Sequence, residues 1–233
     1  MAAFVLVHGS FVGGWIWQPT VQVLRQAGHI VYAPSSDGCG ERKGALRAGM
    51  SVSAAAQELA DLMYYEDLHD VVLVGTSTGG LIVEKLATLA RDRLQRLVLL
   101  DALVPMPGES IRDIAKRPNS PPFVISEFSR APTAQDMRDG LFAELQGEVK
   151  EWAVARATPH PLGLSDAQPG ELDDFWTQSW AATVIRCSQS PNPPESHQRR
   201  TAATLKANYV EMDAGHYPML THADDTARLL QRA

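Results

Sequence analysis

The stretch that most constrains the fold is residues 71–80, where an apolar run leads into a Gly-x-Ser-x-Gly pentapeptide centred on Ser77. The run consists of valine and leucine, which favour a buried strand. Beyond Gly79, apolar residues recur at three- and four-residue intervals as far as Leu94, which predicts an amphipathic helix. A strand, a sharp turn carrying a serine, and a helix together are typical of a nucleophile elbow. We therefore predict that Ser77 is a nucleophile at the end of a strand.

A glycine-rich turn between a strand and a helix has two other interpretations. A phosphate-binding loop would carry a Gly-Lys-Ser/Thr or Gly-x-Gly-x-x-Gly pattern, and neither occurs here. The serine could also be incidental to the turn. Gly75 and Gly79 favour the nucleophile, because a side chain on either side of Ser77 would collide with so sharp a turn. Gly80 would let the helix pack close to the sheet.

The rest of the chain alternates between predicted strands and predicted helices. The strands are expected at residues 4–7, 29–33, 71–74, 97–101, 183–187 and 208–212. Helices are expected between them at about residues 19–26, 51–63, 81–94 and 194–203, with another in the last dozen residues. Such alternation predicts an α/β fold with a mostly parallel sheet and helices on both faces.

Residues 104–180 interrupt this alternation. They contain many prolines, several aromatic residues and helical patterns at 134–145 and 148–156, but no convincing buried strand. A floppy linker would have fewer aromatic and helical residues. We therefore expect a core formed by residues 1–103 and 181–233, with 104–180 inserted as a helical cap over the carboxyl ends of the strands.

Composition and charge narrow the function classes. The 233 residues, 45% hydrophobic and 21% charged, suit one globular domain with an insertion. A net charge of −6 argues against nucleic-acid and acidic-membrane partners. Cys39 and Cys187 are too far apart in sequence for a CxxC motif, so no zinc site or disulfide framework is indicated. We expect no cofactor and no metal, and the sequence predicts no oligomeric state. The amino-terminal apolar run stops at His8 without a basic region before it, so a cytoplasmic location is expected.

The chemistry predicted for Ser77 requires a base and an oxyanion hole. His216 follows the last predicted strand. In α/β folds with a nucleophile elbow the catalytic histidine comes after the serine and the acid in the chain, and His216 matches that order. We expect the backbone amides of Thr78 and Ser10 to bind the oxyanion, one at a helix amino terminus and one after the first strand. His8 is expected to be structural. The remaining histidines are expected on the surface or in the cap: His29, His69, His160, His197 and His222.

Several motifs resemble a known family when they are taken in order. The motifs are residues 4–10 with Gly-Gly-Trp-Ile-Trp at 13–17, Ala-Pro at 33–34 with Gly-Cys-Gly-Glu-Arg at 38–42, the elbow, residues 152–161, and Gly-His at 215–216. They resemble the α/β-hydrolase fold family, within the group of plant methylesterases, hydroxynitrile lyases and EstC-type esterases. The resemblance implies an α/β-hydrolase fold and ester chemistry.

The catalytic acid departs from this group's pattern. The resemblance places the acid shortly before a Pro-Glu pair, at Gln189 or Ser190, and neither residue is acidic. Asp101 at the end of the strand after the elbow helix is one replacement, because some α/β-hydrolases place the acid there. Glu195 is a weaker candidate, and Asp213 lies very close to His216 in sequence. A Ser–His dyad without an acid is the other alternative.

Three functions follow from these expectations. The first is a serine hydrolase that cleaves a carboxylic ester, lactone or thioester of a hydrophobic small molecule. The second is a cyclising or lactonising enzyme of secondary metabolism, and the third is a small-molecule receptor on the same scaffold. Lyase activity is disfavoured, because hydroxynitrile lyases carry a lysine where this chain has Tyr217. Tyr217 is instead expected to line the substrate pocket.

Overall fold

The computed structural model of the chain describes residues 1–115 and 123–233. Within these residues the strands are β1 (Ala3–Val7), β2 (Ile30–Tyr32), β3 (Val71–Ser77), β4 (Leu94–Ala102), β5 (Val124–Ile125), β6 (Ser129–Ala131), β7 (His160–Pro161), β8 (Ala182–Cys187) and β9 (Asn208–Met212). The α-helices are α1 (Gln18–Gln26), α2 (Val52–Tyr65), α3 (Gly79–Leu89), α4 (Ile111–Ile114), α5 (Ala134–Asp136), α6 (Gly147–Arg156), α7 (Asp173–Trp176), α8 (Glu195–Leu205), α9 (Pro218–Thr221) and α10 (Ala223–Arg232).

Six strands form one parallel sheet in the order β2-β1-β3-β4-β8-β9. Its central strands are buried on both faces because each face is covered by helices. In β3, Val71 and Leu73 face one apolar core, while Val72 and Val74 face the other. Burial of each such side chain stabilises the fold by about 1.5–3 kcal/mol. The predicted α/β fold with a parallel sheet is confirmed.

Helices begin where local chemistry favours them. The Ser51 hydroxyl accepts a hydrogen bond from the Ala54 amide at 3.1 Å, so it caps α2. Pro19 lies in the first turn of α1, where its missing N–H has no intrahelical acceptor to bind. Gly28, just past the end of α1, has a φ of 84°. These positions confirm the helix boundaries expected near residues 19–26 and 51–63.

The order of the strands creates a crevice at one edge of the sheet. The chain goes from β1 outward to β2 and then returns to the other side of β1 as β3. Loops that leave the carboxyl ends of β1 and β3 therefore diverge, and open α/β sheets bind ligands at such a switch point. Ser10 follows β1 and Ser77 ends β3, so both lie at this crevice.

Residues 104–180 differ in detail from the helical cap predicted for them. Short strands β5, β6 and β7 form a second, antiparallel sheet among the short helices. The single helix expected over 134–145 is instead the short α5 followed by a π-helix at Met137–Leu141. Residues 116–122 of the predicted cap lie outside the described residues. The boundaries of the cap remain a prediction.

Candidate active site

Ser77 lies in a strained turn between β3 and α3. Its φ of 53° is in the left-handed region, which is costly for a residue with a side chain. A Cβ atom on Gly79 would lie 2.7 Å from the carbonyl oxygen of His8, and one on Gly80 would overlap with the carbonyl oxygen of Leu103. The glycines therefore let α3 begin directly against the loop after β1 and the end of β4.

A bulge in the neighbouring strand presents Asp101. Thr76 pairs with Leu100, whereas Ser77 pairs with Ala102, so Asp101 is an extra residue in the β3–β4 ladder. Its φ is 46°, a conformation that aspartate tolerates better than most residues other than glycine. Bulges redirect side chains, and this one occurs directly beside Ser77.

The Asp101 carboxylate is fully buried and holds His216. Its Oδ2 atom accepts a hydrogen bond from His216 Nδ1 at 2.6 Å. Its Oδ1 atom accepts hydrogen bonds from Gln198 Nε2 at 2.5 Å and from the Cys187 amide at 3.3 Å. A buried carboxylate needs such donors, because an unpaired charge in the protein interior is very costly. The contacts join the ends of β4 and β8 to the loop that follows β9.

The two other candidate acids lie elsewhere. Glu195 is paired with Arg199 at 2.6 Å and with Arg186 at 3.2 Å, and the bond from Arg199 lowers the pKa of its carboxyl group. Asp213 is exposed and accepts a hydrogen bond from Ser188 Oγ at 3.1 Å. Both carboxylates therefore have partners away from the His216 ring.

The positions where the family pattern places the acid are filled by amide and hydroxyl groups. Gln189 points toward Asp213, to which its Nε2 atom donates a hydrogen bond at 2.9 Å. Ser190 lies closer to the histidine, with its Oγ atom 3.5 Å from His216 Nδ1. The His216 Nδ1 atom thus lies between Asp101, near the end of β4, and Ser190, in the loop after β8.

Ser10 and Thr78, the two predicted oxyanion-hole residues, meet in the structure. Their hydroxyl groups lie 2.9 Å apart, which links the loop after β1 to the amino terminus of α3. Within the described chain, neither backbone amide donates a hydrogen bond to a protein acceptor. Both amides are therefore free of hydrogen bonds to the described part of the protein and lie near the carboxyl ends of β1 and β3.

Three other histidines are buried and form hydrogen bonds. His8 accepts a hydrogen bond from the Ser36 amide at Nε2, and burial lowers the pKa of its imidazole. Burial also lowers the pKa of His160 to about 3 and that of His197 to about 4. These imidazoles are neutral at physiological pH. The expectation that His197 lies on the surface or in the cap is wrong, because it lies on α8, buried against the Val104 amide that donates to it at 3.1 Å.

Tyr217 is only 4% exposed and packs beside the histidine. Its ring meets the His216 ring nearly at right angles, with centroids 5.0 Å apart, and lies 5.2 Å from the Phe142 ring. A role in lining the substrate pocket stays a prediction.

Two residues of the site, Gln198 and Glu144, were not predicted from the sequence, because no motif marks either of them. Gln198 contacts Asp101, and Glu144 contacts the His216 backbone.

The described residues contain no group of three or more His, Cys, Asp or Glu side chains arranged to hold a metal ion. Cys39 and Cys187 are both buried free thiols. Among the described helices, none has the length and apolar character needed to cross a membrane.

Comparisons with known proteins identify the family of this chain. Residues 4–229 match the model of the alpha/beta hydrolase family. The carbendazim hydrolyzing esterase of Nocardioides sp. strain SG-4G is 33% identical over 172 residues, which cover 70% of each chain. Polyneuridine aldehyde esterase of Rauvolfia serpentina is 29% identical over 97% of this chain and 93% of its own.

A solved structure shares the whole fold. An extracellular alpha/beta-hydrolase from a Paenibacillus species, described as homologous in structure and function to tobacco salicylic acid binding protein 2, superposes with a TM-score of 0.84. It covers 100% of this chain and 99% of its own at 21% identity, a level that supports the fold alone. The family match over nearly the whole chain, together with the esterases among its relatives, makes this protein an esterase-like hydrolase that belongs to the alpha/beta hydrolase family.

Proposed function

We propose that the protein hydrolyses a carboxylic ester, lactone or thioester of a hydrophobic small molecule through a covalent acyl-enzyme on Ser77. The observation that carries the proposal is the 2.6 Å contact between His216 Nδ1 and Asp101 Oδ2. With its Nδ1–H held by a carboxylate, a neutral imidazole has its lone pair on Nε2 and can accept a hydroxyl proton there. Ser77, His216 and Asp101 then act as a nucleophile, a base and an orienting acid.

The proposed reaction has two halves. The Ser77 oxygen attacks the substrate carbonyl carbon while His216 takes the hydroxyl proton, and the resulting oxyanion is bound by the amides of Ser10 and Thr78. The C–O or C–S bond to the leaving group then breaks, and His216 returns the proton to that group. Water attacks the acyl-enzyme with His216 again as base, which releases the acid and regenerates Ser77. The buried Asp101 carboxylate stabilises the imidazolium in both halves.

A hydrophobic substrate is supported by the aromatic residues beside the proposed oxyanion site. Phe11 directly follows Ser10, and its ring lies 5.3 Å from that of Phe123 and 5.7 Å from that of His160. Apolar walls with a few polar groups are typical of small-molecule sites. Two of the relatives are esterases named for carbendazim and for polyneuridine aldehyde, which supports a small-molecule substrate.

The proposal is tested by measuring turnover of p-nitrophenyl acetate and butyrate together with labelling by a fluorophosphonate probe. We expect turnover of at least one ester, and probe attachment at Ser77 that is lost in the Ser77→Ala variant. Ser188→Ala is the matched control, because that hydroxyl binds Asp213 outside the proposed site. It should retain both signals.

Two outcomes would count against hydrolysis. If neither turnover nor labelling of Ser77 is observed, the serine-hydrolase proposal is wrong and a binding protein is favoured. If Ser77 is labelled but no ester is turned over, the intermediate would instead be resolved by a nucleophile within the substrate, as in a cyclising or lactonising enzyme.

A further inference from the structure

The carboxylate of Glu144, which lies within residues 104–180, accepts hydrogen bonds from the backbone at His216. Glu144 lies between the π-helix Met137–Leu141 and α6. Its Oε2 atom accepts a hydrogen bond from the His216 amide at 2.7 Å, and its Oε1 atom accepts one from the Tyr217 amide at 2.7 Å. Bonds of this length between N–H groups and a charged carboxylate are about twice as strong as neutral ones. Two of them on consecutive amides fix both the position and the orientation of the peptide.

Gly215 leaves the space in which this carboxylate lies. A Cβ atom on Gly215 would overlap with the Glu144 carboxylate, 2.6 Å from Oε1 and closer still to Oε2. The φ of Gly215 is outside the left-handed region, so alanine is conformationally allowed there. The glycine next to His216 is therefore needed for close approach by Glu144 rather than for backbone freedom.

A second contact joins the same two segments. Phe142 is fully buried, and its ring packs 5.2 Å from that of Tyr217. Burial raises the pKa of the Cys187 thiol, and the charges of Asp101 and Glu144 raise it further. Cys187 therefore lies near both carboxylates.

We propose that Glu144 is a positioning residue that holds the His216–Tyr217 peptide and makes the placement of the catalytic histidine depend on the segment that covers the sheet. This inference rests on the proposed function, in which His216 is the base. Asp101 fixes the His216 ring, and Glu144 fixes its backbone. A shift of the 137–147 segment would move the His216 backbone relative to Ser77.

The first test compares Glu144→Gln with wild type in p-nitrophenyl ester hydrolysis. The glutamine side chain keeps one oxygen acceptor but points its NH2 group at the second backbone N–H. One of the two hydrogen bonds is therefore replaced by a repulsive contact between two donors. We expect kcat to fall by about 10- to 100-fold, as small misplacements of catalytic groups do, with KM changed by less than about threefold. Glu148→Gln, an exposed carboxylate four residues further on, is the matched control and should behave as wild type. An unchanged kcat in Glu144→Gln would overturn the proposal.

The second test uses Gly215→Ala and the double variant with Glu144→Ala. Because the alanine methyl group displaces the carboxylate, Gly215→Ala should lower kcat as much as Glu144→Ala does. The double variant should lose little more than either single variant, since both remove the same contact. Fully additive losses would show that Gly215 acts independently and would contradict the inference.

Hydrogen exchange provides a readout that does not depend on activity. The amides of His216 and Tyr217 should exchange at least about tenfold faster in Glu144→Ala than in wild type, because their acceptor is gone. Unchanged exchange would overturn the inference even if kcat fell. If exchange is faster in Glu144→Ala but the wild-type protein neither turns over esters nor is labelled at Ser77, the proposed function is wrong. The hydrogen bonds from the His216 and Tyr217 amides to Glu144 would still be supported.

Discussion

Asp101 combines full burial with a left-handed backbone conformation, and each property costs free energy. The cost is offset by three donors, from His216, Gln198 and the Cys187 amide. Both carboxylate oxygens therefore accept at least one hydrogen bond. Strain and burial concentrated on one residue beside a strained serine are typical of a catalytic site.

We expect Asp101→Asn to lower kcat by about 10⁴-fold. The asparagine oxygen would keep the bonds from Gln198 and the Cys187 amide, which leaves its NH2 group facing His216 Nδ1. The imidazole must then carry its proton on Nε2, where it can no longer accept one from Ser77. Steady-state hydrolysis of a p-nitrophenyl ester measures the loss.

Two variants control this prediction. Glu195→Gln, which removes an exposed carboxylate paired with arginines, should change kcat by less than about twofold. Ser190→Asp in the Asp101→Asn background should restore activity at least about tenfold, because Ser190 Oγ lies 3.5 Å from His216 Nδ1. Small, equal effects of Asp101→Asn and Glu195→Gln would favour a Ser–His dyad.

The sequence identified candidate residues wherever a local pattern constrains the chemistry. Ser77 and His216 stand out because a strained turn and a chain order mark them. Asp101 was one of several carboxylates, since the bulge that redirects it is not visible in an apolar strand pattern. Gln198 and Glu144 had no signal at all, because they act across 97 and 72 residues of sequence through contacts that only the folded chain creates.

At the scale of elements, the site depends on how closely α3 approaches β4. Gly80 lies in the first turn of α3 and faces the carbonyl oxygen of Leu103, just past the end of β4. The Ser77 carbonyl also accepts a hydrogen bond from the Leu103 amide at 2.8 Å. The start of the helix and the end of the strand therefore have no space between them for a side chain.

We expect Gly80→Ala to lower the free energy of unfolding by about 1–3 kcal/mol, because the methyl group must push backbone atoms apart. Gly44→Ala is the matched control: nothing lies within 4 Å of a Cβ there, so the change should be within about 0.5 kcal/mol. Urea denaturation measures both. If Gly80→Ala were as stable as Gly44→Ala, the close contact between α3 and the end of β4 would not hold in solution.

The elements that sequence reasoning predicted well are those with a strong period. The apolar runs of β1, β3, β4 and β8 and the amphipathic patterns of α2 and α3 define the sheet and its covering helices. The strands β5 to β7 are two or three residues long, and Val124 and Ile125 of β5 are exposed, so they have no buried alternation to detect. The pattern over 134–145 resembled one helix, but a π-helix interrupts it at Met137–Leu141.

At the scale of the whole molecule, a buried carboxyl group joins the helix after the elbow to residues 104–180. Glu84 of α3 is fully buried, and its Oε2 atom accepts a hydrogen bond from Trp176 Nε1 at 3.1 Å. The same indole N–H lies 3.0 Å from the Pro105 carbonyl oxygen. Glu84 Oε1 has no hydrogen-bond partner among the described residues. Burial raises the pKa of this carboxyl group well above its usual range.

This raised pKa gives the stability of the protein a specific pH dependence. The folded protein keeps Glu84 protonated at pH values where the unfolded chain has released that proton, so folding takes up a proton and stability is lost as pH rises. The loss begins near the ordinary glutamate value of 4.5 and continues until the folded carboxyl group ionises, with a slope of up to about 1.4 kcal/mol per pH unit.

Glu84→Gln removes this titration while it keeps an oxygen acceptor for Trp176. We therefore expect the free energy of unfolding of wild type, relative to that of Glu84→Gln, to decrease in urea titrations as pH rises above about 4.5, because only the wild type must retain a buried proton. Glu148→Gln, which replaces an exposed carboxylate, should follow the wild-type curve over the same range. A constant difference between wild type and Glu84→Gln would mean that Glu84 titrates in the folded protein as it does in the unfolded chain. The contact between α3 and Trp176 would then be accessible to water in the folded protein.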